Sequence, residues 1–216
     1  SSQKSDFLHV YSFVKVRLLA GLMNFEPGHL YHIYNRGNNK QRIFLQDENY
    51  EYFLRRLDSY FKRAGVDLIA YYLMPNHYHL LIELSTETDF SNLMRSFTTS
   101  YVKSFNKWNS RVGHLFQQEF QPKLIDTDEY LVHVCRYIHL NPVQANLVQN
   151  TGDWKYSDFT QWISDDEKNG PRRIQLRDEL IGSGKDYEKF VMNLAEARKT
   201  EKEVELKLFG VRQSEV

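Results

Sequence analysis

Two histidines one residue apart, His77 and His79, lie in the run Leu73-Met74-Pro75-Asn76-His77-Tyr78-His79-Leu80-Leu81-Ile82-Glu83-Leu84. After the Pro75-Asn76 break this run reads as a strand. Side chains alternate faces along a strand, so the two imidazoles leave the sheet together. A pair of neutral imidazoles can hold a divalent cation, Mn²⁺ or another transition ion being the natural match. Far downstream, Tyr137 and Asn141 stand four residues apart in Tyr130-Leu131-Val132-His133-Val134-Cys135-Arg136-Tyr137-Ile138-His139-Leu140-Asn141-Pro142, which reads as a helix. That spacing puts them one turn apart on one face. The amide carbonyl of Asn141 can complete the coordination, and a harder oxygen ligand brings Mg²⁺ within range. Tyr137 is a candidate nucleophile.

A phenol with a pKa of about 10 is a weak nucleophile at neutral pH. It needs a lowered proton affinity or a base, and a polarised electrophile. A cation bound to a non-bridging oxygen of a phosphodiester polarises phosphorus. Attack by Tyr137 would then leave a covalent phosphotyrosine and a free hydroxyl on the other fragment. The ester keeps the bond energy, so rejoining needs no ATP.

Each residue also has a plainer reading. A His-x-His in a strand is commonly two half-buried imidazoles, and a tyrosine is commonly a core ring. Two details favour chemistry at the histidines. Tyr78 and Leu80 point the other way, leaving His77 and His79 on a wettable face, and the Pro75-Asn76 break puts His77 near an accessible edge. His133 shares the face of Tyr137 and reads as a cap or packing residue. Arg136 and His139 flank it on other faces, solvated or within reach of phosphate.

These side chains need a scaffold. His29 to Tyr34 reads as a strand and Asn35 to Asn39 as a turn. Asp47 caps a helix through Tyr50, Phe53, Leu54, Leu57 and Phe61, which Gly65 ends. Val66 to Met74 and His77 to Leu84 read as an antiparallel pair. Asp89 or Ser91 starts a long helix through Phe105, and extended chain follows between Leu115 and Ile125. Thr127 or Asp128 caps the tyrosine helix, Asn141-Pro142 ends or kinks it, and a short helix over Val143 to Leu147 is expected next. The order β-α-β-β-α-β-α predicts an α+β fold, an antiparallel sheet with helices packed on it. Trp154 to Trp162 reads as a packed aromatic segment, and Tyr187 to Leu208 as a helical tail.

Composition sets limits. Lys+Arg and Asp+Glu both number 28, so a polyanionic partner must be held by local patches. Arg36, Lys40 and Arg42 cluster at the first turn. Arg95, Lys103, Lys107 and Arg111 recur along the long helix, with Lys123 beyond it. These are candidate DNA-phosphate contacts, and Tyr31, Tyr34 or Phe116 candidate stacking platforms. The single cysteine, Cys135, excludes an intramolecular disulfide and a multi-cysteine zinc site, in keeping with a reducing cytoplasm. The apolar stretch within residues 1–22 is broken by His9, Lys15 and Arg17. It is too short and charged for a membrane span and lacks the plan of a secretory signal. An amphipathic helix, or an extension before a start at Met23, fits it better. Three regions follow: an N-terminal extension over 1–22, a catalytic domain over 23–163 and a charged, mostly helical tail over 164–216.

The motifs taken together resemble a known family. Pro75-Asn76-His77-Tyr78-His79-Leu80-Leu81 resembles the His-hydrophobic-His motif of the single-tyrosine HUH transposases. Tyr137-Ile138-His139-Leu140-Asn141-Pro142 resembles their catalytic helix, above all in the repetitive-palindrome-associated branch. Tyr31-His32-Ile33-Tyr34-Asn35-Arg36-Gly37-Asn38-Asn39, followed by Ile43-Phe44, looks like that family's opening strand and turn. The likeness runs from about Phe25 to about Phe159 and leaves the two ends of the chain without a role. It implies a ferredoxin-like fold with the histidines on a central strand. It implies cleavage and rejoining of single-stranded DNA at hairpin or palindromic sites through a 5′-phosphotyrosine, with Mg²⁺ or Mn²⁺. By motif position His77, His79 and Asn141 would be the metal ligands and Tyr137 the nucleophile. A cytoplasmic, nucleoid-associated protein with no membrane partner is expected, as a monomer or a homodimer. Two other readings stay open: a hairpin-binding module that does not cut, and a metal-dependent hydrolase in which Tyr137 is structural.

Overall fold

The computed structural model describes residues 23–166, 168, 170–193 and 204. The N-terminal extension and most of the chain after residue 193 lie outside the described residues. Four strands form one sheet: β1 (Leu30–Arg36), β2 (Val66–Met74), β3 (His77–Leu84) and β4 (Gln121–Ile125). Their order is β2-β3-β1-β4, and every neighbouring pair is antiparallel. Helix α1 (Asp47–Ala64) joins β1 to β2, α2 (Phe90–Trp108) joins β3 to β4, and α3 (Asp128–Gln144) follows β4. The short α4 (Phe159–Trp162), then α5 (Pro171–Leu180) and α6 (Gly184–Met192), complete the described chain. The expected α+β class, with a four-stranded antiparallel sheet and helices packed on it, is what is found.

Local chemistry sets the boundaries. Helix α1 is capped by Gln46, one residue before the expected Asp47, and Asn49 closes a reciprocal capping box with it. Its end is Gly65 at φ +63°, where a Cβ would stand 2.5 Å from the Thr86 hydroxyl, so both backbone sign and space call for glycine. Asp89 caps α2 and Thr127 caps α3, each side chain accepting a first-turn amide N–H. Pro142 neither ends nor kinks α3 into two helices. It sits in the last turn, where its missing N–H costs one bond to the carbonyl four residues back. Ala145 N–H still bonds Asn141 O at 2.9 Å, and the separate helix expected over Val143 to Leu147 is absent.

The sheet is covered on both sides. Tyr31, Ile33, Tyr78, Leu80 and Ile82 face α1 and α2 in an aromatic core with Phe53, Phe97 and Tyr101. Tyr72, Leu81 and Ile69 face α3, α5 and α6 in a second core with Val134, Ile138, Trp162 and Tyr187. Tyr78 and Leu80 are core as the period required, and Tyr31 and Phe116 are core rings too. The other face of β3 is not wettable: Leu81 is fully buried, His79 is 3 % exposed, and only His77 at the strand's start is half-buried. The tail supplies part of that cover. Arg172 of α5 makes a two-pronged ion pair with Glu83 of β3, at 2.6 and 2.8 Å.

Candidate active site

The site is a row of rings laid across three strands. Cross-strand register places Tyr34 of β1 and Tyr72 of β2 on either side of His79. Residues directly opposite share a sheet face, so all three rings rise toward α3. Both tyrosines stack on the imidazole, Tyr34 at 5.3 Å and Tyr72 at 4.9 Å between centroids, each within about 11° of parallel. Tyr137 comes down from α3 edge-on to His79, at 5.5 Å and 67°. It also meets Tyr72 and His32 edge-on, at 6.4 Å each. Sheet and helix thus bring the predicted nucleophile to His79 of the predicted histidine pair.

His77 and His79 lie 5.5 Å apart, centroid to centroid. The Nδ1 of His77 is 2.7 Å from Asn76 Oδ1, an acceptor, so Nδ1 carries the proton and Nε2 the lone pair. Tyr72 Oη lies 3.3 Å from that Nε2. The turn bearing Asn76 is clasped from β1's exit: Gly37 N–H bonds Asn76 O at 2.8 Å. A Cβ on Gly37 would stand 2.1 Å from Gln41 O, so this close approach excludes any side chain. On the other side of His79, its Nδ1 is 2.7 Å from His32 Nε2. Burial lowers His32 and His77 to about 3, the latter helped by the Arg36 charge. Burial, then the neighbouring imidazoles and Arg36, pull His79 well below the usual imidazole range. All three rings are therefore neutral at pH 7, as metal ligation requires. Burial also pushes Tyr34 up to about 12, leaving it a phenol.

Asn141 stands one turn beyond Tyr137 on α3, half-buried. Two imidazole nitrogens and a carboxamide oxygen, if gathered on one cation, would be a mixed N/O donor set that suits Mn²⁺ and tolerates Mg²⁺. Among the described residues no group of three His, Cys, Asp or Glu could hold a metal ion.

The predicted cations fall on two surfaces. Arg36 is the cross-strand partner of His77, and its buried Nε has no hydrogen-bond partner among the described residues. Lys123, exposed on β4, is opposite His32 and shares its face. Lys40 and Arg42 are exposed just past the first turn. Arg95 and Lys103 instead line a cavity of about 730 Å³ with Thr98, Phe116 and Gln117, between α2 and the chain before β4. That is the side of the sheet away from Tyr137. Lys107 is exposed at the end of α2.

Other side chains differ from expectation. His139 and Arg136 are neither solvated nor open to phosphate, being 0 % and 1 % exposed. His139 Nε2 donates to Asp158 Oδ1 at 3.0 Å and its Nδ1 accepts from Tyr187 Oη at 2.5 Å. Arg173 pairs with the same carboxylate at 3.1 Å, and Arg136 lies 3.4 Å over the ring of Phe190. His133 pairs with Glu129 one turn back, at 3.8 Å. Sequence reasoning passed over His32, Tyr72 and Asn76. The alternation of Tyr31-His32-Ile33-Tyr34 was the available signal, since it puts His32 and Tyr34 on one face.

The sequence pattern of the family described as "Transposase IS200 like" matches residues 27–141. A protein of Haemophilus influenzae named as a REP-associated tyrosine transposase is 28% identical over 134 residues, covering 54% of this chain and 76% of the relative. Among solved structures, a REP-associated tyrosine transposase bound to a REP hairpin superposes with a TM-score of 0.56 at 19% identity. It covers 66% of this chain and 84% of that one. Among the described residues no helix is long and apolar enough to cross a membrane.

Proposed function

The chain belongs to the IS200-like transposase family, and on that premise we propose that it cleaves and rejoins single-stranded DNA beside hairpin elements. The link to DNA is a 5′-phosphotyrosine at Tyr137. The phenolic oxygen bonds to phosphorus as its proton passes to solvent, the 3′ oxygen of the upstream fragment leaves with the bonding pair and takes up a proton from solvent, and the reverse step rejoins the strand. His77 and His79, through their Nε2 atoms, and Asn141, through its carbonyl, hold Mg²⁺ or Mn²⁺. When bound, the cation supplies Lewis-acid polarisation of the phosphoryl group. Arg36, beside His77 with a buried Nε–H that has no partner among the described residues, takes a phosphate oxygen. The β-α-β-β-α-β order is read as ferredoxin-like, with the histidine motif on its central strand.

The observation that carries this reading is the approach of Tyr137 to His79, rings 5.5 Å apart across two elements far separated in sequence. Hairpin DNA as the ligand class is extended from the REP-hairpin complex of the structural relative. The groove of Arg95 and Lys103, with Lys107, Lys40, Arg42 and Lys123, is assigned to duplex and flanking phosphates. A second reading, a hairpin-binding module that does not cut, is favoured by the 7 % exposure of Tyr137.

An adduct assay separates the two. Palindromic oligonucleotides from the surrounding genome are incubated with the protein and Mn²⁺. The cleaving reading expects a covalent protein–DNA band on the downstream fragment, absent from Tyr137→Phe, which still binds the hairpin. Cutting at wild-type rate by Tyr137→Phe removes the nucleophile assignment. Tight hairpin binding with no adduct from the wild type supports the binding module.

A further inference from the structure

His32 is fully buried in β1, within the ring cluster, and among the described residues its one side-chain hydrogen bond is to His79. Its Nδ1 has no partner among the described residues. An N···N contact of 2.7 Å between two uncharged imidazoles contains one proton, and which ring owns it decides what His79 can do. If His79 Nδ1 donates, its Nε2 keeps a lone pair and can ligate. If His32 Nε2 donates, the proton on His79 moves to Nε2 and the ring cannot ligate. Asn76 gives His77 no such choice, because a carbonyl oxygen only accepts.

We propose that His32 is a positioning residue for the metal site: it accepts from His79 Nδ1–H, so that the His79 Nε2 lone pair faces the cation. This rests on the reading of His77 and His79 as the ligand pair. A ligating histidine is commonly held by a hydrogen bond from its other nitrogen, which fixes both tautomer and ring plane. The ring plane here is set twice over, by that bond and by the stacking of Tyr34 and Tyr72. His32 also touches Tyr137 edge-on at 6.4 Å, so the same side chain abuts ligand and nucleophile. An aliphatic residue would fill this dry space without stranding a polar Nδ1. What an aliphatic residue lacks is the acceptor.

The test is calorimetric titration of the full chain with Mn²⁺, comparing wild type, His77→Ala, His32→Leu and His32→Gln, with thermal melting to confirm folding. Ring ¹⁵N shifts of His79 are read in the metal-free wild type. The expected result is a loss of about 10–100-fold in Mn²⁺ affinity for His32→Leu. Recovery of most of it is expected in His32→Gln, whose carbonyl accepts the same hydrogen. The shifts should report His79 protonated at Nδ1. Wild type that takes up no Mn²⁺, or His77→Ala that binds like wild type, overturns the ligand pair and this inference with it. Loss in His77→Ala with no loss in folded His32→Leu overturns the role of His32 alone. Equal loss in the Leu and Gln variants assigns His32 to packing and overturns the acceptor role. Should His32→Leu not fold, the shifts decide: a His79 protonated at Nε2 overturns the proposal.

Discussion

His139 follows Tyr137 by two residues on α3, yet its ring turns the opposite way, to Asp158 at 3.0 Å and Tyr187 at 2.5 Å. One turn of helix thus carries the candidate nucleophile toward the sheet histidines and an anchor toward the tail. Asp158 also accepts the Tyr71 amide of β2 at 2.8 Å, so the anchor ties α3, α6 and the sheet to one carboxylate. Through Tyr187, the tail contacts the helix that carries Tyr137.

Removing that carboxylate should be costly. Asp158→Ala strands His139 and Arg173 in a dry interior, and breaking a buried pair typically costs about 3–5 kcal/mol. Tyr187→Phe removes one buried hydrogen bond and should cost about 1–2 kcal/mol. Urea unfolding followed by circular dichroism measures both, and a change below 0.5 kcal/mol for Asp158→Ala (roughly that of a neutral surface substitution) would deny the anchor.

Acid should destabilise the metal-free protein from an early point. Folded His32 stays neutral down to about pH 3 and folded His79 is likewise depressed, while unfolded histidine takes a proton below about 6.5. Between those values the unfolded chain binds more protons, so stability falls as pH drops, by up to about 1.4 kcal/mol per unit for each ring. Unfolding midpoints at pH 7, 6 and 5 in chelator should decline steadily, and His32→Gln should flatten the slope. A midpoint that does not change down to pH 5 contradicts the neutral cluster.

The two cationic surfaces should separate in kinetics. Arg36→Gln, opposite His77 and proposed to take a phosphate oxygen, is expected to lower cleavage about 10–100-fold at saturating DNA with little loss of hairpin affinity. Arg95→Ala and Lys103→Ala should weaken binding at every sequence and each reduce the salt slope by about 1. Single-turnover cleavage and binding isotherms across salt concentrations distinguish these. The opposite pattern, with Arg36 governing affinity alone, would exchange the roles.

Much of this was legible from residue order. Strands β2 and β3 fall where their apolar runs are bounded by Gly65 and Pro75-Asn76, and Asp89 and Thr127 announced their helices. Period two correctly paired His77 with His79 and opposed them to Tyr78. It could not say what lies over a face. His79 is buried because Tyr34 and Tyr72 flank it and α3 covers it, a tertiary fact absent from local pattern. Helix α5 lies within the tail expected to be charged and mostly helical, but its bounds were not placed, because nothing in the sequence shows Glu83, Asp158 and Asp165 to be the partners of Arg172, Arg173 and Arg177. Pro171 in its first turn was the usable signal. Arg136 and His139 were misplaced for the same reason, polar residues being read as wet unless partners far along the chain are known.

The identity of the residue that bonds to DNA is the most direct measure of the proposed chemistry. Three tyrosines, Tyr34, Tyr72 and Tyr137, surround His79. Mass spectrometry of protease-digested adduct should find the nucleotide on the peptide containing Tyr137 and on no other. A nucleotide on Tyr34 or Tyr72, or cleavage that leaves no peptide modified, would contradict it.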